Sequence, residues 1–165
     1  MDSTTSQDRL LPSLLDRLTD DSRHSESELR SQRVSTMVNL RAAVLRDLEH
    51  LLNTTNLEAS TDLSNYPELR STVINFGLPG MSGITLNAED REHLMRVIKE
   101  TIEAFEPRIL KNTLKVHMIL DQNNLSHSAI AFEIEGTLWG NPMPESLYLR
   151  TELDLELGNV SVVEL

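Results

Sequence analysis

Cysteine is missing from all 165 residues, which excludes disulfides and thiolate metal sites and fits a reducing compartment. Positive charge is in short supply: 15 Lys and Arg against 26 Asp and Glu give a formal net charge of −11. That balance argues against nucleic acid as the main partner, because neutralising phosphates needs clustered Lys and Arg. It also disfavours adsorption to an anionic membrane surface. No apolar run approaches the roughly 20 residues of a membrane span, and no basic segment followed by an apolar one marks a secretory leader. Direct membrane insertion is therefore not expected. The length predicts one domain with some chain to spare. An ordered portion of roughly 130 residues buries about two thirds of its unfolded surface, enough for a core without staples.

Catalytic signatures are missing too. The five histidines, His24, His50, His93, His117 and His127, contain no His-Glu-x-x-His pattern. His117 and His127 approach each other if a hairpin joins their segments, with Glu133 nearby, but metal sites usually need three or four ligands. No metal or other cofactor is expected. The serines lack the Gly-x-Ser-x-Gly elbow. The glycines of Gly77-Leu78-Pro79-Gly80-Met81-Ser82-Gly83 fit neither the P-loop nor the dinucleotide fingerprint, and read as a tight turn. Carboxylates are abundant, yet a glycosidase needs two at a set separation in a cleft.

What the chain does contain is an ordered series of amphipathic segments. Leu10, Leu11, Leu14, Leu15 and Leu18 form one helical stripe, with Pro12 suited to the first turn. So short a helix is unstable alone in water and must dock, on a partner or on its own domain. Residues 19–33 are nearly free of apolar side chains and read as a charged linker. The predicted organisation is an N-terminal docking arm, 1–34, followed by a domain, 35–165.

In that domain Leu40, Val44, Leu48 and Leu51 or Leu52 recur at helical spacing through Val38–Leu52, and Asn53-Thr54-Thr55-Asn56 ends the helix. Tyr66-Pro67 predicts a short helix through Leu69, Val73, Ile74 and Phe76, with Gly77 as its C′ residue. Asn87 is the expected cap of a helix whose inner face is Leu94, Ile98, Ile102 and Phe105. After it the period switches to two: Leu114, Val116, Met118 and Leu120; Ile130, Phe132, Ile134 and Leu138; Leu147, Leu149, Leu153 and Leu155 alternate with polar or charged residues. Gly158-Asn159 turns the chain into a last strand at Val160-Ser161-Val162-Val163. One greasy and one charged face indicate an antiparallel sheet covered on one side. The predicted fold is α+β, with helices packed on one face of a mostly antiparallel sheet. Val160 and Val162 belong to a short, acid-flanked strand suited to an edge, where a partner strand can add.

Where helix gives way to strand stands Phe105-Glu106-Pro107-Arg108-Ile109-Leu110. A residue preceding proline is pushed out of the α region, so the helix must end there. Glu106 and Arg108 are thereby pinned among apolar neighbours, where a charge pair costs desolvation energy and more often specifies geometry or a partner than adds stability. Arg108 also argues against Glu106 as an acid catalyst, since a nearby cation favours the ionised carboxylate. Trp139 and Tyr148 are expected as core rim or as interface anchors.

Leu10–Asp21, Arg41-Ala-Ala-Val-Leu-Arg-Asp-Leu-Glu-His-Leu-Leu-Asn53, Val73-Ile-Asn-Phe-Gly-Leu-Pro79, Phe105-Glu-Pro-Arg108 and Thr151-Glu-Leu-Asp-Leu-Glu156, in this order, resemble the TssE family. These are type VI secretion baseplate components related to the tailed-phage baseplate wedge protein and labelled "lysozyme-like". The resemblance implies a structural subunit of a cytoplasmic wedge at the inner membrane of a Gram-negative bacterium. Its implied partners are the wedge core subunits TssF and TssG, with TssK elsewhere in the baseplate. The implied sheet offers a start point for sheath proteins TssB and TssC, and Glu106, Pro107 and Arg108 correspond to the corner used at the wedge core. The competing expectation is a carboxylate-dependent peptidoglycan hydrolase, as the family label suggests. A generic adaptor working only through the leucine arm is a third. The assembly reading expects charge reversal at Arg108 to remove partner binding while leaving the isolated fold largely intact.

Overall fold

The computed structural model describes Leu18 and residues 37–80, 88–119, 129–139, 144–154 and 158–164. Two α-helices, α1 (Met37–Leu52) and α2 (Ala88–Phe105), pack against a four-stranded sheet. Its strands are β1 (Lys115–Ile119), β2 (Ala129–Leu138), β3 (Glu145–Asp154) and β4 (Val160–Glu164), arranged as an antiparallel meander in chain order. This is the α+β architecture expected from the switch in apolar period. The N-terminal arm lies outside the described residues except for Leu18, as do the expected cap Asn87, the inward positions Leu120 and Leu155, and the hairpin turn 121–124.

The core forms where the two periods meet. Leu40, Val44, Leu48, Leu51 and Leu52 from α1 and Leu94, Ile98 and Ile102 from α2 are buried against Ile130, Phe132, Ile134, Leu147, Leu149 and Leu153 of the central strands. Fully burying each such side chain contributes about 1.5–3 kcal/mol before ordering costs. The helices divide the face between them, α2 lying along β1 and α1 along β4. On the opposite face Lys115 meets Glu135 across the β1–β2 register at 3.6 Å. Thr151 is the one buried polar side chain of β3, and its hydroxyl donates to the Phe132 carbonyl at 2.8 Å. With that bond made, a hydroxyl is tolerated in an apolar layer.

The segment joining the helices departs from expectation. In place of a helix through Leu69–Phe76 there are two 3-10 turns, Pro67–Ser71 and Val73–Asn75, separated by an extended Thr72. Val73 and Ile74 are 83% and 60% exposed. Side chains bond the backbone here: the Thr72 hydroxyl donates to Leu69 O, while buried Asn75 accepts from Glu58 N–H and donates to Arg70 O. Such side-chain competition breaks a helix that apolar spacing alone suggests.

Gly77 follows Phe76, the C-cap of the 3-10 turn Val73–Asn75, in the expected C′ position, and it also lets two backbones touch. Thr55 and Leu78 form a parallel bridge, with Leu78 N–H donating to Thr54 O at 2.8 Å and Asn56 N–H to Leu78 O at 2.9 Å. At Gly77 φ is +116°, and a Cβ there would stand 2.2 Å from the Thr54 carbonyl oxygen, so only glycine fits.

Candidate partner-binding site

The helix-to-sheet corner is built from three directions. Helix α2 ends at Phe105, and Glu106 N–H closes the last turn onto Ile102 O at 2.8 Å. Beyond Pro107 the chain is stapled to the far end of β2: Leu110 N–H donates to Thr137 O at 2.9 Å and Trp139 N–H to Arg108 O at 2.7 Å. Ile109 and Leu138 thus form an antiparallel bridge. The Thr113 hydroxyl accepts from Thr137 N–H at 2.9 Å just beyond. Gly136 makes room, since Ile109 Cγ2 comes within 2.9 Å of where a Cβ would sit.

Within this frame Glu106 is buried at 3% exposure while Pro107, at the apex, is exposed. Both Glu106 carboxylate oxygens accept from Arg108: Oε1 from the backbone N–H at 3.1 Å and Nε at 2.7 Å, Oε2 from Nη2. A third residue joins them. Asp47, on α1, accepts from Arg108 Nη2 at 2.7 Å through Oδ2, and from Arg46 Nε at 3.0 Å through Oδ1. Two carboxylates and two guanidiniums therefore tie both helices and the head of the sheet together with charges balanced. Burial works most strongly against the Arg108 charge, but hydrogen bonds and attraction from Glu106 and Asp47 outweigh it and hold the guanidinium protonated above its usual range.

Asp47, Glu106 and Arg108 line a cavity of about 320 Å³ together with His50, Phe76 and Phe105. Phe76 meets Phe105 edge to face at 5.3 Å, which links the loop between the helices to the corner. With both Glu106 oxygens engaged, no free carboxyl is aimed into the cavity from that residue. Reversing the Arg108 charge would set three carboxylates against one another, so the expectation that such a variant keeps its isolated fold gives way: the network is a fold element first. Asp47 was legible in the sequence only as a polar position on α1, 61 residues from Arg108.

The second place with groups directed outward is the β4 edge. Val160 is buried at 4% and Val162 packs partly against the core. Asn53, just past α1, bonds Val160 twice: Nδ2 donates to Val160 O at 2.8 Å and Oδ1 accepts from Val160 N–H at 2.8 Å. Val160 therefore turns its backbone groups away from β3. In an antiparallel ladder this orientation alternates, so Val162 and Glu164 present theirs the same way. Among the described residues nothing outside the sheet bonds to them.

Of the leucine stripe, Leu10, Leu11, Leu14 and Leu15 lie outside the described residues; Leu18 is helical and 74% exposed. Trp139 and Tyr148 are 58% and 49% exposed, at the corner and on the outer sheet face. His117 stands opposite Glu133 in the β1–β2 register, and His127 lies outside the described residues. Among the described residues, no three His, Asp or Glu converge as a metal site and no helix is long and apolar enough to cross a membrane.

A family model described as baseplate wedge protein gp25 matches residues 38–143. The match spans α1, the loop with its 3-10 turns, α2, the corner and the first two strands. None of the curated proteins compared with the chain matches it.

Proposed function

The chain belongs to the baseplate wedge protein gp25 family, a structural family whose members work among other baseplate proteins, and from that premise we propose that it is a wedge subunit of a type VI secretion baseplate. In this reading the corner seats the core subunits TssF and TssG, with TssK in the same baseplate, and the β4 edge receives a strand from the sheath proteins TssB and TssC. Assembly takes place in the cytoplasm, at the inner membrane face. The leucine stripe, Leu10 to Leu18, docks on a neighbour.

The observation that carries the proposal is the exposed Pro107 apex set on a rigid, charge-balanced base formed by Glu106, Arg108 and Asp47. A preorganised protrusion loses little entropy on docking. Glu106 offers no poised acid, because both its oxygens hold Arg108, so nothing at the corner favours glycan hydrolysis.

Co-purification of the tagged chain with TssF and TssG tests this reading. The wild type is expected to hold both, and Arg108→Glu to hold neither; melting curves report how much of that loss is loss of fold. A wild-type chain that recovers neither core subunit contradicts the assignment.

A further inference from the structure

Asn53 does more than end α1. Its carboxamide presents one N–H and its oxygen side by side to the outward backbone of Val160, at 2.8 Å each, and keeps a second N–H for another acceptor. This is the pairing that one residue of a fifth strand would make. The amide is itself held, because Nδ2 also donates to Glu49 O at 2.8 Å and the Asn53 backbone N–H closes onto the same carbonyl at 3.1 Å. A helix terminus thus plugs the first position of an edge that is otherwise open among the described residues, and leaves Val162 and Glu164 facing out.

We propose that Asn53 sets the register of strand addition: a donated segment begins pairing at Val162 because the carboxamide already occupies Val160. The inference rests on the reading that the β4 edge receives a strand, and it adds where that strand must start. The occupant is an extended, β-branched segment of a sheath subunit. It lies beside Val162, which packs on the core, and Val163, which is 58% exposed on the outer face. Apolar cross-strand partners suit both positions. Without the plug, the same segment gains a third outward position and slides toward Gly158. A two-residue slide is the smallest that keeps each side chain on its own face of the sheet.

The cysteine-free background makes the register measurable. Ser161→Cys places a single exposed thiol on β4, and single cysteines are scanned along the segment of the purified TssB–TssC pair that gains amide protection on mixing. Disulfide yield peaks at the residue opposite position 161, since bridging requires close Cα approach. The peak is expected to move by two residues when Asn53→Ala is added. Asn53→Asp keeps the acceptor for Val160 N–H but loses the donor to its carbonyl, and is expected to populate both registers. Deuterium exchange at the Val160 amide verifies that the plug is gone, and should rise at least tenfold in Asn53→Ala. An unmoved peak with an unprotected Val160 amide overturns the role of Asn53 while leaving strand addition standing. No disulfide in either background, with both chains folded, overturns strand addition at β4 and this inference with it. A purely structural role for Asn53 would alter the melting point but not the position of the peak.

Discussion

The corner at Glu106–Arg108 and the edge at Val160–Glu164 dispose of their polar groups in opposite ways. At the corner, full charges are withdrawn from water and matched within the chain: Arg108 serves two carboxylates from two elements, and Asp47 is shared between two arginines. At the edge, neutral backbone groups face outward and, among the described residues, only the first, at Val160, is answered, by the chain's own Asn53. Unpaired charges inside a protein are strongly destabilising, whereas unpaired amides at a solvated edge remain satisfied by water until a strand replaces it. The corner is therefore a site whose shape is fixed before any partner arrives. The edge, in the proposed reading, is one that a partner strand completes.

Substitutions that break this contrast should differ most in stability at the corner. Arg108→Glu leaves buried Glu106 without its cation and adds a carboxylate beside it and Asp47, which keeps only Arg46, and is expected to cost about 3–5 kcal/mol, read as a fall in the urea midpoint. Gly77→Ala strains a loop whose neighbour Phe76 supports the corner; with φ at +116° and Thr54 O in the way, about 1–3 kcal/mol is expected in the same titration. Asn53→Ala removes two edge bonds but leaves Val160 open to water on an exposed flank, so about 1 kcal/mol is expected from thermal melts. Val163→Lys, on the outer face of β4, should change stability by less than about 0.5 kcal/mol. It nonetheless puts a charge beside the open edge, a device that discourages strand pairing, and so should weaken TssB–TssC capture in a pull-down. If the edge variants proved as destabilising as the corner variants, the contrast would be gone.

Much of the fold was legible because its signals are local. The 3.6-residue spacing in α1 and α2, the break before Pro107 and the alternation in β2 and β3 each follow from neighbours a few residues apart. The loop at 66–76 departs from its apolar spacing for the complementary reason: Leu69, Val73, Ile74 and Phe76 have helical spacing, yet Asn75 and Thr72 bond the backbone in ways spacing does not reveal. The charge pair of Glu106 and Arg108 was visible as two residues flanking a proline. Its third member, Asp47, was not, because nothing local ties position 47 to position 108. Asn53 was visible only as a helix terminator, since its bonds to Val160 span 107 residues and depend on strand order. Non-local polar contacts of this kind leave no periodic trace.

Amide hydrogen exchange on the chain, alone and then co-assembled with TssF, TssG, TssB and TssC, measures the central claim most directly. The account expects further slowing at Arg108–Leu110, whose amides are already hydrogen-bonded in the free chain, when the core subunits are added, and new protection at Val162 and Glu164 when the sheath proteins are added, with Val160 already protected in the free chain. Exchange at both places unchanged by the assembled partners would contradict it.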